Sequence, residues 1–258
     1  MRGGFVIPRF AFECVALGRG LRYPGFRAPP CRPLFDGLCR DALSNRSMRV
    51  RCLRQFLLFS KGRTDMSRLQ IPATIADAPA ASQPFLEAVN KKLGVVPNLF
   101  RLIANSPAAL EGYLGLAGAL AKGALPAQTG ERIALAVAEI NGCDYCMSAH
   151  SYLGKNVAKL DDAEMSANRN GGSNEPKAAP AVQFAAKVAH KRGRVSDEDL
   201  RVLKEAGYTD AQIVEIVVHI ALSVLTNYAN VVANTEIDFP VVRTHQGLKN
   251  GSRTLFAT

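Results

Sequence analysis

From Pro84 onward the sequence repeats one local pattern, apolar residues every three or four positions, and this pattern leaves little room for anything but helices. The spacing predicts helices over 84–93, 98–105, 107–122, 126–141, 144–157, 178–192, 196–206 and 209–234. Their ends are marked in the sequence. Ser106-Pro107 is a cap followed by proline at the first helical position, and Pro126 opens the next helix in the same way. Ser196 is followed by Asp197, Glu198 and Asp199, acids placed where a helix dipole favours them. Gly207 ends that helix and Thr209 starts the last long one. Ser166 to Pro176 reads as a loop, being polar and rich in Asn and Gly. No alternating strand pattern with hairpin turns appears, and no internal repeat of about 20 to 50 residues. The fold class is all-α.

Charge divides the chain. Residues 1–65 hold 13 Lys and Arg against 4 Asp and Glu, while the remainder is almost balanced at 19 against 18. The overall charge of +10 is therefore a property of the leader, and the globular part has no basic stripe for a phosphate backbone. Pro and Gly interrupt the leader repeatedly, as at Tyr23-Pro24-Gly25 and Pro29-Pro30, so residues 1–65 are expected to be a disordered basic extension. Three origins fit it: a transit segment, an arm for nucleic acid or membrane, or upstream sequence read from an early start codon. The well-patterned region opens at Met66-Ser67-Arg68-Leu69, which favours the third. The expected layout is the extension over 1–65, a helical domain over 66–240 and a tail over 241–258. The cytoplasm is the expected location, or an organelle if the extension is a genuine transit segment. The richest apolar stretch, Ile213 to Leu225, carries Glu215 and His219 and falls short of the roughly 20 residues that span a bilayer, so a core helix is expected there and no membrane association.

The cysteines divide in the same place. Cys14, Cys31, Cys39 and Cys52 lie in the leader, and only Cys143 and Cys146 lie in the patterned region. A single close pair in a cysteine-poor domain points to redox chemistry or a metal rather than a disulfide scaffold. Asn141-Gly142 is a helix stop, so the next helix starts near Cys143 and holds both cysteines in its first turn. There the partial positive charge of the helix end favours thiolate. His150 follows Cys146 by four residues, on the same face. Glu131 would be ~18 Å from Cys143 on one straight helix. If the chain folds back at Asn141-Gly142, however, His150 lies opposite Ala134, one turn from Glu131. Glu131, His150 and Cys146 then form a carboxylate, imidazole and thiol series, a base orienting a base beside a nucleophile.

The pattern Glu131-x11-Cys143-x-x-Cys146-x3-His150 resembles that of the alkylhydroperoxidase D family, within the carboxymuconolactone decarboxylase-like group. The flanks are similar to those of its peroxidase-related members: Gly94 to Arg101, Ser106 to Tyr113, and Asn227-Tyr228-Ala229-Asn230 through Asp238-Phe239-Pro240. The resemblance covers roughly 70–240. It implies an all-helical alkylhydroperoxidase D-like bundle, assembled as a trimer or hexamer, that reduces hydroperoxides without cofactor or metal. Cys146 would be the peroxidatic thiol, Cys143 would resolve it as a disulfide, and Glu131 and His150 would relay protons. The electron donor would be a dithiol, with a lipoylated protein as the example the family offers. In one departure, the best-known member has His between the cysteines where this chain has Tyr145, a poor base at neutral pH.

Other readings of the same residues remain open. Cys143, Cys146 and His150, with Glu131 or water, have the spacing of a zinc clamp, although no second ligand pair follows. The cysteines could also be inert core thiols. A decarboxylase on the same scaffold would not need the Cys pair, and a non-catalytic redox sensor would form the disulfide without turning over. A thioredoxin-type oxidoreductase is excluded because it needs a βαβ pattern around the Cys pair. Glu215 and His219 read as a packing pair, Glu139 as a surface or interface charge, and His190 as an exposed helix end. Phe85, Phe100 and Tyr113 read as core packing that could also line a peroxide pocket.

Overall fold

One helix organises the molecule. Ala127–Asn141 (α4) is buried around almost its whole circumference, and other helices pack on every side of it. The computed structural model describes residues 67–245, which hold nine α-helices and no strand. The expected extension over 1–65 lies outside the described residues, as does the tail beyond 245. The helices before α4 are α1 (Gln83–Leu93), α2 (Asn98–Ile103) and α3 (Pro107–Leu120). After it come α5 (Asp144–Asn156), α6 (Asp162–Arg169), α7 (Ala179–Lys191), α8 (Asp197–Glu205) and α9 (Asp210–Ala233).

The ends follow the capping chemistry of the sequence. Ser106 Oγ accepts from the N–H of Ala109 ahead of α3. Ser196 and Thr209 each form a capping box, with Asp199 and Gln212 respectively. The segment expected as loop from Ser166 is instead partly helix, because α6 runs from Asp162 to Arg169. This helix is held by polar contacts rather than an apolar stripe. Asp161 caps it, and Glu164 is buried in an ion pair with Arg132 at 2.6 Å.

Two apolar cores meet on α4. Leu135 and Ala138 face one core with Leu86, Leu99, Ile103, Leu110, Met147 and both cysteines. Ile133 and Val137 face the other with Phe184, Leu203, Ile213, Ile216 and Ile220. Each fully buried side chain of this size contributes roughly 1.5–3 kcal/mol, so α4 is fixed from both sides. By length and composition α9 could cross a membrane, a longer apolar element than Ile213 to Leu225 suggested. In this fold its inner face packs on α4 through Ile213, Ile216 and Ile220 and brings Asn227 and Asn230 to the joint of α4 and α5.

The chain after α9 returns to that joint. Val242 N–H donates to Ser148 Oγ, Thr244 N–H to Asp144, and His245 N–H to Glu139. The described part of the expected tail is thus tied across the start of α5.

Candidate active site

The site is built by one turn. Gly142 has φ 65°, a left-handed conformation that glycine adopts without cost. Gly142 N–H bonds to Glu139 O, and Cys143 N–H reaches back to Ala138 O, the paired bonds of a Schellman stop. This reverses the chain, and Cys143 becomes the N-cap of α5, its Sγ accepting from Cys146 N–H at 3.2 Å. Both cysteines are buried, unbridged thiols.

The reversal brings His150 against Glu131. Nδ1 of His150 lies 2.8 Å from Oε2 of Glu131, and both side chains are about a quarter exposed, at 24% and 26%. Burial disfavours a charged His150, but the charge and hydrogen bond of Glu131 and the charge of Cys146 outweigh it and raise its pKa above the ordinary value. The Glu131 contact also orients the ring and leaves its other nitrogen free for proton transfer.

The two sulfurs differ sharply. Burial pushes the Cys146 thiol up, but the S–H of Cys143, the positive charge of His150 and the amides of Asn230 and Asn227 act more strongly together and bring it down to about 6. Asn230 Nδ2 donates to Cys146 Sγ at 3.3 Å. Cys143 is pushed upward, first by giving its proton to the hydrogen bond with Cys146, then by burial and the thiolate's charge. At neutral pH the pair is a thiolate at 146 beside a thiol at 143. Tyr113 faces the same charges: burial first, then Cys146 and Glu131, hold its hydroxyl protonated with a pKa pushed up to about 12.

The four residues singled out from the motif, Glu131, Cys143, Cys146 and His150, are gathered at this joint. Their zinc-clamp alternative is not assembled: among the described residues no three His, Cys, Asp or Glu side chains converge as a metal-ligand group. Tyr145 turns away from proton chemistry. Its hydroxyl accepts from Leu99 N–H at 3.1 Å, its ring packs edge-on against Phe239, and burial keeps it neutral. Glu139 is not a surface charge; it is buried, paired with Arg169 at 2.8 Å, and holds the returning chain at His245. Glu215 accepts from the backbone N–H groups of Ala124 and Leu125, and so fastens the loop ahead of α4. Phe85, Phe100 and Tyr113 pack on the core that contains the cysteines, and His190 is exposed.

The sequence offered Tyr113 as core packing that could also line a peroxide pocket, and assigned no role to Asn227 or Asn230 at the sulfur. The signal was there in the two asparagines, a pair three apart on an otherwise apolar helix, where a buried amide demands a partner.

Residues 107–191 match the carboxymuconolactone decarboxylase family. No curated protein sequence matches the chain. Among solved structures, an uncharacterized peroxidase-related protein from Silicibacter sp. TM1040 is similar with a TM-score of 0.60 at 22% identity, over 72% of this chain and 97% of that one. An alkylhydroperoxidase AhpD core, an uncharacterized peroxidase-related protein from Ralstonia eutropha JMP134, reaches 0.60 at 26% identity, over 67% and 93%. The debrominase Bmp8 in complex with 2,3,4-tribromopyrrole reaches 0.56 at 21% identity, over 67% and 94%. The first and third are likenesses of fold alone. The segment from α3 to α7 thus matches the carboxymuconolactone decarboxylase family, and the described chain has the alkylhydroperoxidase D-like helical architecture.

Proposed function

We propose that the protein is a thiol-dependent peroxidase that reduces hydroperoxides through Cys146 and Cys143. The observation that carries this reading is the series Glu131, His150, Cys146, in which a carboxylate holds an imidazole at 2.8 Å and the adjacent thiol is brought down to about 6. Cys146 thiolate attacks one oxygen of the peroxide, the O–O bond breaks, and Cys146 becomes a sulfenic acid. The departing alkoxide takes its proton from His150, whose charged form Glu131 stabilises. The Cys143 sulfur then attacks the Cys146 sulfur. A disulfide forms, and hydroxide leaves with the Cys143 proton as water. A dithiol donor returns two electrons and two protons, and the family's lipoylated donors are the implied class.

A homo-oligomer is proposed with it. The outer face of α9 exposes Val214, Val217, Leu225, Tyr228, Val231 and Val232, an apolar row that a second copy would cover.

The test is peroxide consumption by the full chain with dihydrolipoamide, wild type beside Cys146→Ser. Turnover in the wild type that disappears in the variant is expected. Disulfide formation without turnover would instead support a redox sensor, and an activity that survives loss of both cysteines would support a decarboxylase-type enzyme.

A further inference from the structure

Asn141 reads in the sequence only as half of the Asn141-Gly142 helix stop. The turn itself does not need it. Gly142 carries the left-handed conformation, and Asn141 is the last residue of α4, where alanine would serve a helix better than asparagine. Its side chain is spent elsewhere. Asn141 Nδ2 donates to Asn227 Oδ1 at 2.8 Å, from α4 across to α9 and 86 residues along the chain.

The other end of Asn227 lies at the sulfur. Asn227 is 0% exposed, and its Nδ2 is buried with no partner of its own. A buried donor without an acceptor is uncommon and calls for a cause. The cause is Cys146. Asn230, one turn further along α9, donates from Nδ2 to Cys146 Sγ at 3.3 Å, and the Asn227 amide lies near enough to lower the same thiol without closing a full hydrogen bond to it. The two amides differ in what holds them. Asn230 Oδ1 has no partner, so no hydrogen bond orients that amide except the one to the sulfur. Asn227 Oδ1 is held by Asn141, which keeps the carbonyl away from Cys146 and the amino end toward it. The titratable groups that act on Cys146 come from other elements: Tyr113 on α3, and Cys143, Tyr145 and His150 around α5, with Glu131 of α4 behind His150. What α9 adds at the sulfur is neutral donors.

We infer that Asn141 is a positioning residue for the reactive sulfur: through Asn227 it presents a preset N–H to Cys146, so that ionisation of the thiol does not first have to turn an amide around. The inference rests on the reading of Cys146 as the working thiolate, and adds a residue outside the set Glu131, Cys143, Cys146 and His150 that tunes it. The physical argument is preorganisation. A thiolate only accepts, so an amide that turned its carbonyl toward the sulfur would oppose the charge, whereas an amide held by its carbonyl can only donate. Asn141 acts at one remove, from the turn that also sets Cys143 and Cys146 at the start of α5.

The reduced full chain is alkylated with iodoacetamide, and Cys146 is followed by mass spectrometry in wild type, Asn141→Ala, Asn227→Leu and the double variant. At about pH 5, below the thiol midpoint of about 6, the rate reports the thiolate fraction. Asn227→Leu should slow it by about 3- to 10-fold, within what one hydrogen bond contributes, and Asn141→Ala by about 2- to 5-fold. The double variant should be no slower than Asn227→Leu, because Asn141 then has nothing to position. At about pH 9, where the thiol is ionised in every variant, the four rates should converge. A merely structural Asn141 would lower the melting temperature and leave the acid rate at the wild-type value, which overturns the inference. So does a slowing that adds in full in the double variant, or one that persists in alkali. If Asn227→Leu does not fold, Asn141→Ala decides alone: a slowing confined to acid supports the inference, and an unmoved rate overturns it. A chain that alkylates as expected but consumes no peroxide would end the peroxidase reading and leave this inference standing. A wild-type Cys146 with an ordinary thiol midpoint would end the inference.

Discussion

The molecule holds two Glu and His pairs near the start of α4, and they do opposite things. Glu215 and His219 are four apart on α9 and look like a ready-made couple in the sequence. Glu131 and His150 are nineteen apart and sit on different helices. Yet it is Glu131 and His150 that meet, at 2.8 Å. Glu215 spends its carboxylate on the backbone of Ala124 and Leu125, and burial lowers His219 while the charges of Glu215 and Glu131 fail to offset it. The same two residue types therefore give an imidazole whose pKa is raised in one place and lowered in the other. Spacing along one helix brings side chains near each other, but what else each carboxylate must satisfy decides whether the pair is a site.

Substitutions should separate the pairs. Glu131→Gln is expected to lower peroxide turnover by about 100-fold, the lower end of what a positioned proton donor supplies, with the fold intact by circular dichroism. Glu215→Gln should leave turnover within about 2-fold, far below that general acid–base contribution. It should instead lower the melting temperature, because a charged acceptor for two backbone N–H groups is lost. Equal losses of turnover in the two variants would erase the distinction.

The pH profile sharpens the comparison. Cys146 must be ionised, so turnover should rise through about pH 6. His150 must be protonated to serve the leaving alkoxide, so turnover should fall once pH passes its raised pKa. In Glu131→Gln the main cause of that elevation is gone, and the alkaline limb should move to lower pH. Stability separates the pairs by sign as well. His150 is raised, so its contribution is present below pH 6.5 and lost as pH climbs through its folded value. Glu215 is lowered, so its contribution is present above pH 4.5 and lost as pH falls through its folded value. Thermal melts across pH should show the Glu215→Gln difference shrinking in acid.

The smallest effect is expected at His219. A Cβ built on Gly130 would lie 3.0 Å from its ring, so His219 rests on the backbone of α4 as packing. His219→Gln should change peroxide turnover little, and a loss as large as that of Glu131→Gln would place His219 in the relay.

The helices with an apolar stripe were legible in the sequence, as was the reversal at Asn141-Gly142, because glycine at a left-handed stop is a local signal. Helix α6 was not legible. Its position rests on Glu164 finding Arg132, Ser173 and Asn174, and no periodicity announces an ion pair. The same blindness made Glu139 look like a surface charge, since its partners Arg169 and His245 lie 30 and 106 residues away. At the sulfur, the spacing of the motif pointed to Glu131, Cys143, Cys146 and His150. Asn230, 84 residues beyond Cys146, became visible only once α9 was laid across the joint. Tyr145, read in the sequence as a departure from the best-known member of the resembled family, is accounted for in the structure, where its hydroxyl accepts from Leu99 N–H at the start of α2.

The central claim is that the S–H of Cys143, the charge of His150 held in place by Glu131, and the amides of Asn230 and Asn227 together ionise Cys146. It is tested most directly by titrating the rate of iodoacetamide alkylation at Cys146 against pH, by mass spectrometry, in wild type and His150→Gln. The account predicts a wild-type midpoint near 6 and a clear upward move toward the ordinary thiol value of about 8.5 in the variant. A wild-type midpoint already at the ordinary value, or one that His150→Gln leaves in place, would contradict it.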